Sequence, residues 1–299
     1  MIEKNLHFIW DKGYEAMPEK YKLNVASWKK YHPTWKLYFW DKTSMDELVK
    51  TQYPEFIALW NSCNQVYEFV DMFKLIALHF YGGVYVDTDI ECLRTYPDNF
   101  LEKEFVISKA NKDDYCKGDQ FSLSVLIMTL GKSTNTFLNN GFYGGKQGSD
   151  ILYNLVQKIE QTRKTHPTWL GSGFFISGTG GPIFITNECI TNKWCDDPRV
   201  QILEPHFMEP CGLNYSITKN ISDCGITSDT IGIHRHELSW ATPFMKKWMK
   251  IYYYRNNISI IIIVLCAVLL LYMHNTTKKF GTLYWILVLL LLWCVYVLY

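Results

Sequence analysis

Apolar and polar residues alternate with two different periods along most of the chain. Short apolar runs bounded by turn residues predict β-strands at residues 6–10, 35–40, 84–86, 105–108, 123–128 and 230–234. Apolar residues spaced three and four positions apart predict helices at residues 19–31, from Thr43 onward, at 64–81 and at 149–164. Because strands and helices alternate, the pattern predicts an α/β fold built on a largely parallel sheet.

The C-terminal end has a different pattern. Residues 258–273 and 280–299 are two apolar segments without charges, and the polar sequence HNTTKK separates them. As helices with a rise of about 1.5 Å per residue, they would extend about 24 and 30 Å, against a bilayer core of roughly 30 Å. The pattern therefore predicts a C-terminal transmembrane helical hairpin. A pair of buried core helices is the alternative.

The charged residues bear on the partners and on membrane orientation. The chain has 30 basic and 29 acidic residues, and this balance argues against a nucleic-acid-binding protein, which would show a basic face. Residues 1–10 lack the apolar core of a secretory signal. More basic residues precede the first apolar segment than lie between the two segments. The positive-inside rule therefore favours a cytosolic position for the preceding domain.

The chain contains nine cysteines, and no two of them form a CxxC pair. Their number is odd, and two of them lie in the apolar C-terminal segments. Zinc sites and the disulfide frameworks of small secreted domains use paired or evenly numbered cysteines. The sequence therefore predicts mostly free thiols, with neither a zinc site nor a disulfide framework.

The most informative motif is YGGVYVDTD at residues 81–89, in which a short apolar strand ends in two aspartates. Alternate residues of an extended chain point the same way, so Asp87 and Asp89 can converge at the carboxyl end of the strand, where open α/β sheets bind ligands. Two convergent carboxylates suit a divalent ion such as Mg²⁺ or Mn²⁺, which would hold a diphosphate. The preceding helix carries Asp71 and Lys74 on its polar side. A solvated turn and a surface ion pair are the alternatives.

Several short motifs follow one another in a fixed order over residues 5–245. They are NLHFIW at 5–10, Ser27-Trp28, His32-Pro33, Trp40-Asp41, the Gly82-Gly83 break with its DxD, Thr179–Pro182, and His234 followed by Ser239-Trp240. In this order and spacing they resemble glycosyltransferase family 32, the DXD sugar-binding-region family, which includes inositol phosphoceramide mannosyltransferases and fungal initiating α-1,6-mannosyltransferases. Two departures from the family pattern are Lys74, in place of the usual arginine, and Ser149-Asp150, where many members have His-Pro.

The resemblance implies a GT-A-type (Rossmann-like) fold, a nucleotide-sugar donor, a Mn²⁺ or Mg²⁺ ion, and transfer of a hexose with retention of configuration. It also implies a role for each matched residue. The implied metal ligands are Asp87, Asp89 and His234. The implied donor-binding residues are Trp10, Asp71, Lys74, Asp87, Ser239 and Trp240. The implied catalytic residues are Asp87, Asp89, His234 and Asn140, the last of which would approach the donor sugar.

The apolar pattern of the C-terminal end and the resemblance together give an expected domain organisation and location. The catalytic domain would cover residues 1–245, followed by a basic and aromatic juxtamembrane segment at 246–256 and two transmembrane helices at 257–299. The expected partners are GDP-mannose or a UDP-sugar, a lipid or glycan acceptor and the membrane, with no nucleic acid. The fungal relatives favour an endomembrane location with a lumenal active site, against the charge count. The sequons at Asn214 and Asn220 would be used only in the lumen.

Alternatives remain for single residues and for the function. Trp10 could be a core aromatic at a strand end, His236 lies close enough in sequence to take the role of His234, and Asn139 adjoins Asn140 in a glycine-rich segment. A metal-dependent phosphatase could also use a DxD at a strand end. The non-enzymatic alternative is a membrane-anchored carbohydrate-binding protein.

Overall fold

The structure, a computed structural model, describes residues 1–111, 116–117, 120–121, 137–165, 172–212, 215, 218–237, 243, 246–247, 250–251, 254–276 and 281–298. The chain divides into two structural units, Met1–Trp240 and Ala241–Tyr299. The predicted strand at 123–128 lies outside the described residues.

The first unit contains short strands interleaved with helices. Its strands are β1 (Asn5–Ile9), β2 (Lys36–Trp40), β3 (Gly83–Val86), β4 (Ile90–Cys92), β5 (Phe105–Lys109), β6 (Cys116–Lys117), β7 (Gln120–Phe121), β8 (Leu138–Gly145), β9 (Val200–Leu203) and β10 (Gly232–His234). Its helices are α1 (Glu19–Tyr31), α2 (Lys42–Gln52), α3 (Ile57–Asn61), α4 (Val66–Tyr81), α5 (Asp150–Thr165), α6 (Ser172–Thr179), α7 (Pro182–Asn192) and α8 (Pro205–Met208).

Among the described residues, the central sheet has six strands in the order β2-β1-β3-β8-β5-β9. β1 is parallel to both β2 and β3, and β9 is parallel to β5. β8 is antiparallel to both of its neighbours, β3 and β5. The predicted α/β class is confirmed, but the sheet is mixed rather than largely parallel. The sheet is mixed because β8 runs antiparallel in its middle. The sequence of β8, LNNGFYGG, has the composition of a glycine-rich loop and does not predict a strand.

Two helices match their sequence patterns closely. α1 has the predicted bounds, and α4 begins two residues after the predicted start. α4 ends at Gly82, whose φ of +62° is the left-handed conformation that glycine adopts without strain. The chain then enters β3 directly. α4 thereby fixes the start of the strand that leads to the two aspartates.

His7 lies in β1 and is fully buried. Its Nε2 is 2.9 Å from the Gly82 carbonyl oxygen, and its Nδ1 accepts a hydrogen bond from the Trp40 indole at 3.1 Å. Because a carbonyl only accepts and an indole only donates, Nε2 carries the proton and the ring is neutral. Burial lowers the pKa of His7 from 6.5 to about 4, against the raising effect of the Gly82 hydrogen bond.

We expect His7 to make the fold sensitive to mild acid. The unfolded chain takes up a proton at His7 near pH 6.5 and the folded chain only near pH 4. Stability is therefore complete above pH 6.5 and is lost as the pH falls from 6.5 towards 4, at up to about 1.4 kcal/mol per pH unit. Urea unfolding at several pH values should give a flatter pH dependence for His7→Gln than for the wild type. Parallel profiles would contradict this account.

The part of the chain that the structure describes contains two disulfides, so the prediction of mostly free thiols without a disulfide framework is wrong. Cys189 at the end of α7 bonds Cys195, and Cys211 bonds Cys224, with Cα–Cα distances of 5.3 and 4.2 Å. In each pair, the segment between the two cysteines turns back so that the sulfur atoms meet. The spacing of the cysteines in the sequence does not reveal this turn. Among the cysteines that the structure describes, the free ones are Cys63, Cys92 and Cys266.

The second unit contains α9 (Arg255–Thr276) and α10 (Thr282–Leu298), which pack against each other. Within the described residues, neither helix combines the length and the apolar composition needed to span a bilayer. The prediction of two transmembrane helices is therefore not supported.

Candidate functional site

The loop that carries the two aspartates is fastened to α1. The Asn24 side-chain amide donates to the Thr88 carbonyl at 2.9 Å, and the Trp28 indole donates to the Ile90 carbonyl at 2.9 Å. The Ser27 hydroxyl accepts from the backbone N–H of Cys92 at 2.8 Å. The Ser27-Trp28 motif therefore holds in place the chain that follows the DxD.

Asp87 lies at the carboxyl end of β3, beside the middle of β8. The Tyr85 hydroxyl donates to its Oδ1 at 2.5 Å, and its backbone N–H donates to the Gly141 carbonyl at 2.8 Å. A Cβ at position 141 would lie 3.0 Å from both Asp87 Oδ2 and a ring carbon of His234. A side chain at this position would therefore crowd Asp87 and His234, whereas glycine leaves room for both. Burial raises the pKa of Asp87 to about 6, against the lowering effect of the Lys74 ammonium.

Asp89 lies beside His234, which β10 supplies by pairing with β4. His234 Nε2 is 3.3 Å from Asp89 Oδ1, and the backbone N–H of Glu237 donates to Asp89 Oδ2 at 3.0 Å. Burial would raise the pKa of Asp89, but the charge and the hydrogen bond of His234 hold it well below its usual value. Burial would lower the pKa of His234, but the Glu209 and Asp89 carboxylates raise it well above 6.5.

Asp87, Asp89 and His234 form a group that can hold a metal ion. One ligand atom from each residue lies within 4.8 Å of the others. The two carboxylate oxygens suit Mn²⁺ or Mg²⁺, and the imidazole nitrogen can add a third ligand. The missing side chain at Gly141 keeps the space next to Asp87 and His234 free. The three residues implied as metal ligands thus lie together and fit a divalent ion.

A buried carboxylate, Glu209, stands behind this group and was not foreseen from the sequence. Its side chain has no exposed surface. His234 Nδ1 donates to Glu209 Oε1 at 2.8 Å, and His236 Nε2 lies 3.2 Å from Oε2. Burial would raise the pKa of Glu209, but His234 and His236 hold it below its usual value. The close spacing of His234 and His236 is the one sequence feature that points to a shared partner such as Glu209.

Asp71, Lys74 and Asn140 form a second cluster next to the first. Lys74 Nζ lies 2.7 Å from Asp71 Oδ1 and 2.8 Å from the Asn140 carbonyl oxygen. The Asn140 side-chain amide donates to Asp71 Oδ1 at 2.9 Å. Lys74 is only 2% exposed, and it packs against the rings of Tyr85 and Tyr143. The alternative of a solvated surface ion pair is therefore wrong.

The remaining expected residues are placed as follows. Trp10 follows β1 at the same sheet edge as the aspartates, is half-buried, and packs on Tyr21 with 5.2 Å between ring centroids. Its buried indole nitrogen has no hydrogen-bond partner among the described residues. The Asn139 side chain accepts from the Gly141 N–H at 2.7 Å. Ser239 and Trp240 lie outside the described residues.

The chain is similar to known glycosyltransferases. Residues 18–106 match the family model of the glycosyltransferase sugar-binding region containing the DXD motif, which confirms the resemblance. An uncharacterised glycosyltransferase of Acanthamoeba polyphaga mimivirus is 23% identical over 254 residues, covering 82% of this chain and 86% of that protein. Inositol phosphoceramide mannosyltransferase 3 of Schizosaccharomyces pombe is 33% identical over 179 residues, covering 56% of this chain and 49% of that protein.

Further similarities are more distant. A mannosyl phosphorylinositol ceramide synthase of Saccharomyces cerevisiae is 23% identical over 193 residues, covering 63% of this chain and 44% of that protein. The chain thus spans about half the length of these yeast proteins. Among solved structures, the catalytic domain of alpha-toxin from Clostridium novyi is 13% identical, with a TM-score of 0.42 over 84% of this chain and 82% of that one. PaToxG glycosyltransferase is 13% identical, with a TM-score of 0.40 over 83% and 84%.

Proposed function

We propose that this chain, a member of the glycosyltransferase family with the DXD sugar-binding region, transfers mannose from a nucleotide sugar to a lipid-linked acceptor in a metal-dependent reaction. The observation that carries the proposal is the convergence of Asp87, Asp89 and His234 within 4.8 Å at the carboxyl end of β3. Residues 1–245 would form the GT-A-type catalytic domain. The yeast relatives are named as an inositol phosphoceramide mannosyltransferase and a mannosyl phosphorylinositol ceramide synthase, which supports mannose as the sugar and a sphingolipid as the acceptor. The donor would be GDP-mannose.

The proposed donor site lies along the carboxyl ends of β1 and β3. The half-buried ring of Trp10 would contact the nucleotide, and Asp87 and Asp89 would hold the metal with His234. Ser239 and Trp240 would close over the phosphates. A bound divalent ion would neutralise the negative charge that develops on the leaving diphosphate.

The positions of Asn140 and Asp150 support transfer with retention through a front-face reaction, which needs no protein nucleophile. The Asn140 amide, the nearest candidate to act beneath the sugar, is fixed by its hydrogen bond to Asp71. Asp150 lies beyond the opposite end of β8, where Arg199 pairs with it at 2.9 Å. Since neither group is placed as a free nucleophile, we propose that the leaving phosphate accepts the acceptor's proton. A covalent glycosyl adduct on Asn140, found by mass spectrometry, would contradict this mechanism.

We propose that the catalytic domain works in the lumen of an endomembrane compartment. Its two disulfides are of the kind that forms in oxidising compartments. The sequon residue Asn220 is exposed and lies inside the loop that Cys211 and Cys224 close. These observations outweigh the small excess of basic residues that favours the cytosol.

The acceptor and donor can be identified in one experiment. The purified full-length chain is incubated with radiolabelled GDP-mannose or UDP-sugars, Mn²⁺, and either inositol phosphoceramide or an N-glycoprotein. Thin-layer chromatography separates labelled lipid, and gel electrophoresis separates labelled protein. The proposal predicts label from GDP-mannose in the lipid. Label confined to protein would contradict the lipid acceptor, and label from UDP-sugars alone would contradict the donor.

A further inference from the structure

Glu209 is the most completely buried carboxylate in the site, and its burial needs an explanation. An ionised carboxylate without exposed surface is costly unless charged or hydrogen-bonding partners compensate it. Within the described residues, its ion-pair partners are His234 and His236. A buried ion pair contributes little to stability compared with apolar packing. Glu209 is therefore better explained by what it does to the histidines than by its effect on folding.

We propose that Glu209 is a positioning residue that determines which nitrogen of His234 faces the metal. A carboxylate accepts hydrogen bonds and cannot donate them when ionised, so the 2.8 Å contact with Oε1 requires a proton on His234 Nδ1. Nε2 then points to Asp89, 3.3 Å away, and it is the nitrogen that would bind a metal, which replaces its proton. The proposal deepens the proposed function, because it assumes the metal site given there.

Glu209 is itself held rigidly enough for this role. Its backbone N–H donates to the Pro205 carbonyl at the start of α8, and its carbonyl accepts from the Asn111 amide at 3.1 Å. Its second oxygen faces His236, which also lies 3.0 Å from the Cys211 carbonyl oxygen. Cys211 is tied to Cys224. The carboxylate thus has a fixed backbone and a fixed second neighbour.

The stacking of the two histidines adds a further restraint. The rings of His234 and His236 are nearly parallel, with centroids 4.1 Å apart. His236 has a φ of +44°, an unusual conformation for a residue with a side chain, which asparagine also tolerates. His236→Asn is therefore a matched control, since it removes a neighbour of Glu209 and leaves the bond from Glu209 to His234.

The test is Mn²⁺ affinity, measured by electron paramagnetic resonance on the purified full-length chain without donor or acceptor. Glu209→Ala should weaken Mn²⁺ binding about 10- to 100-fold, which is the usual effect of losing a hydrogen-bond partner of a metal-bound histidine. Glu209→Gln keeps an acceptor oxygen for Nδ1 and should show a smaller loss. The control His236→Asn should stay within about threefold of the wild type.

A second readout separates positioning from general damage to the loop. With Mg²⁺ bound, ¹⁵N chemical shifts of labelled histidines report the tautomer of each ring. The His234 ring should be protonated at Nδ1 in the wild type and in Glu209→Gln, and should lose this single state in Glu209→Ala. If Glu209→Ala does not fold, Glu209→Gln is decisive, and it should bind Mn²⁺ more weakly than His236→Asn.

Two outcomes would overturn the proposal. One is equal Mn²⁺ affinity in the wild type and both Glu209 variants. The other is an equal loss in His236→Asn and the Glu209 variants, which would indicate loop packing instead. Failure of the wild type to bind Mn²⁺ would contradict the proposed metal site itself, so the two failures are distinguishable.

Discussion

Replacing Asp89 by asparagine is expected to reduce sugar transfer at least 100-fold. The variant keeps the shape of the side chain and an oxygen that can accept the Glu237 N–H at Oδ2. It loses the negative charge beside His234 Nε2, and with it an anionic ligand of the metal. A metal that stabilises developing charge supplies several kcal/mol of the rate enhancement. The rate of product formation from labelled nucleotide sugar measures the effect.

The control for this variant is Asp98→Asn, which changes an exposed aspartate that pairs with Lys4 on the surface. It should have the activity of the wild type. Circular dichroism and the thermal midpoint should show that Asp89→Asn remains folded at the assay temperature. Activity above a tenth of the wild-type value in a folded Asp89→Asn protein would count against Asp89 as a metal ligand.

The largest effect on stability is expected for Lys74→Met. Methionine fills a similar space, but it removes the ammonium that lies 2.7 Å from Asp71 Oδ1 and 2.8 Å from the Asn140 carbonyl. Asp71 is then left as a buried carboxylate without its counter-charge. Breaking a buried ion pair from one side typically costs about 3 to 5 kcal/mol. Urea unfolding of the wild type and the variant gives the difference directly.

A double variant shows whether the isolated charge is the cause. In Asp71→Asn/Lys74→Met both charges are gone, so the stability should recover in part relative to Lys74→Met alone. A double variant as unstable as the single one would indicate lost packing against Tyr85 and Tyr143. A loss below about 1 kcal/mol in Lys74→Met would contradict the importance of the pair, since buried pairs are not that weak when broken.

The sequence predicts those parts of the fold that local patterns determine. α1 and α4 have regular apolar spacing, and α4 stops at a glycine with positive φ. The strand before Asp87 is a short apolar run between glycines and aspartates. Each of these signals lies within a few residues of the element it predicts, so tertiary contacts are not needed to recognise it.

Other features depend on contacts between distant residues. β8 contains Gly141 because Asp87 and His234 approach it from other strands, and these glycines resemble a loop when the strand is considered alone. Glu209 is 25 residues from His234 in the sequence, and a single glutamate between Met208 and Pro210 looks like an exposed residue. The apolar periodicity of α4 predicts a polar face for Lys74, because it does not reveal that β8 covers that face.

A metal-dependent glycosyltransferase site is tested most simply by product release from a panel of nucleotide sugars with Mn²⁺, with Mg²⁺, or with a chelator. We expect the wild-type chain to release nucleoside diphosphate when a divalent metal is present, and we expect the chelator to stop this release until metal is added back. Release of inorganic phosphate instead would indicate a phosphatase. Release of nucleoside diphosphate that continues unchanged with the chelator, or no release from any donor, would contradict a metal-dependent glycosyltransferase site at Asp87, Asp89 and His234.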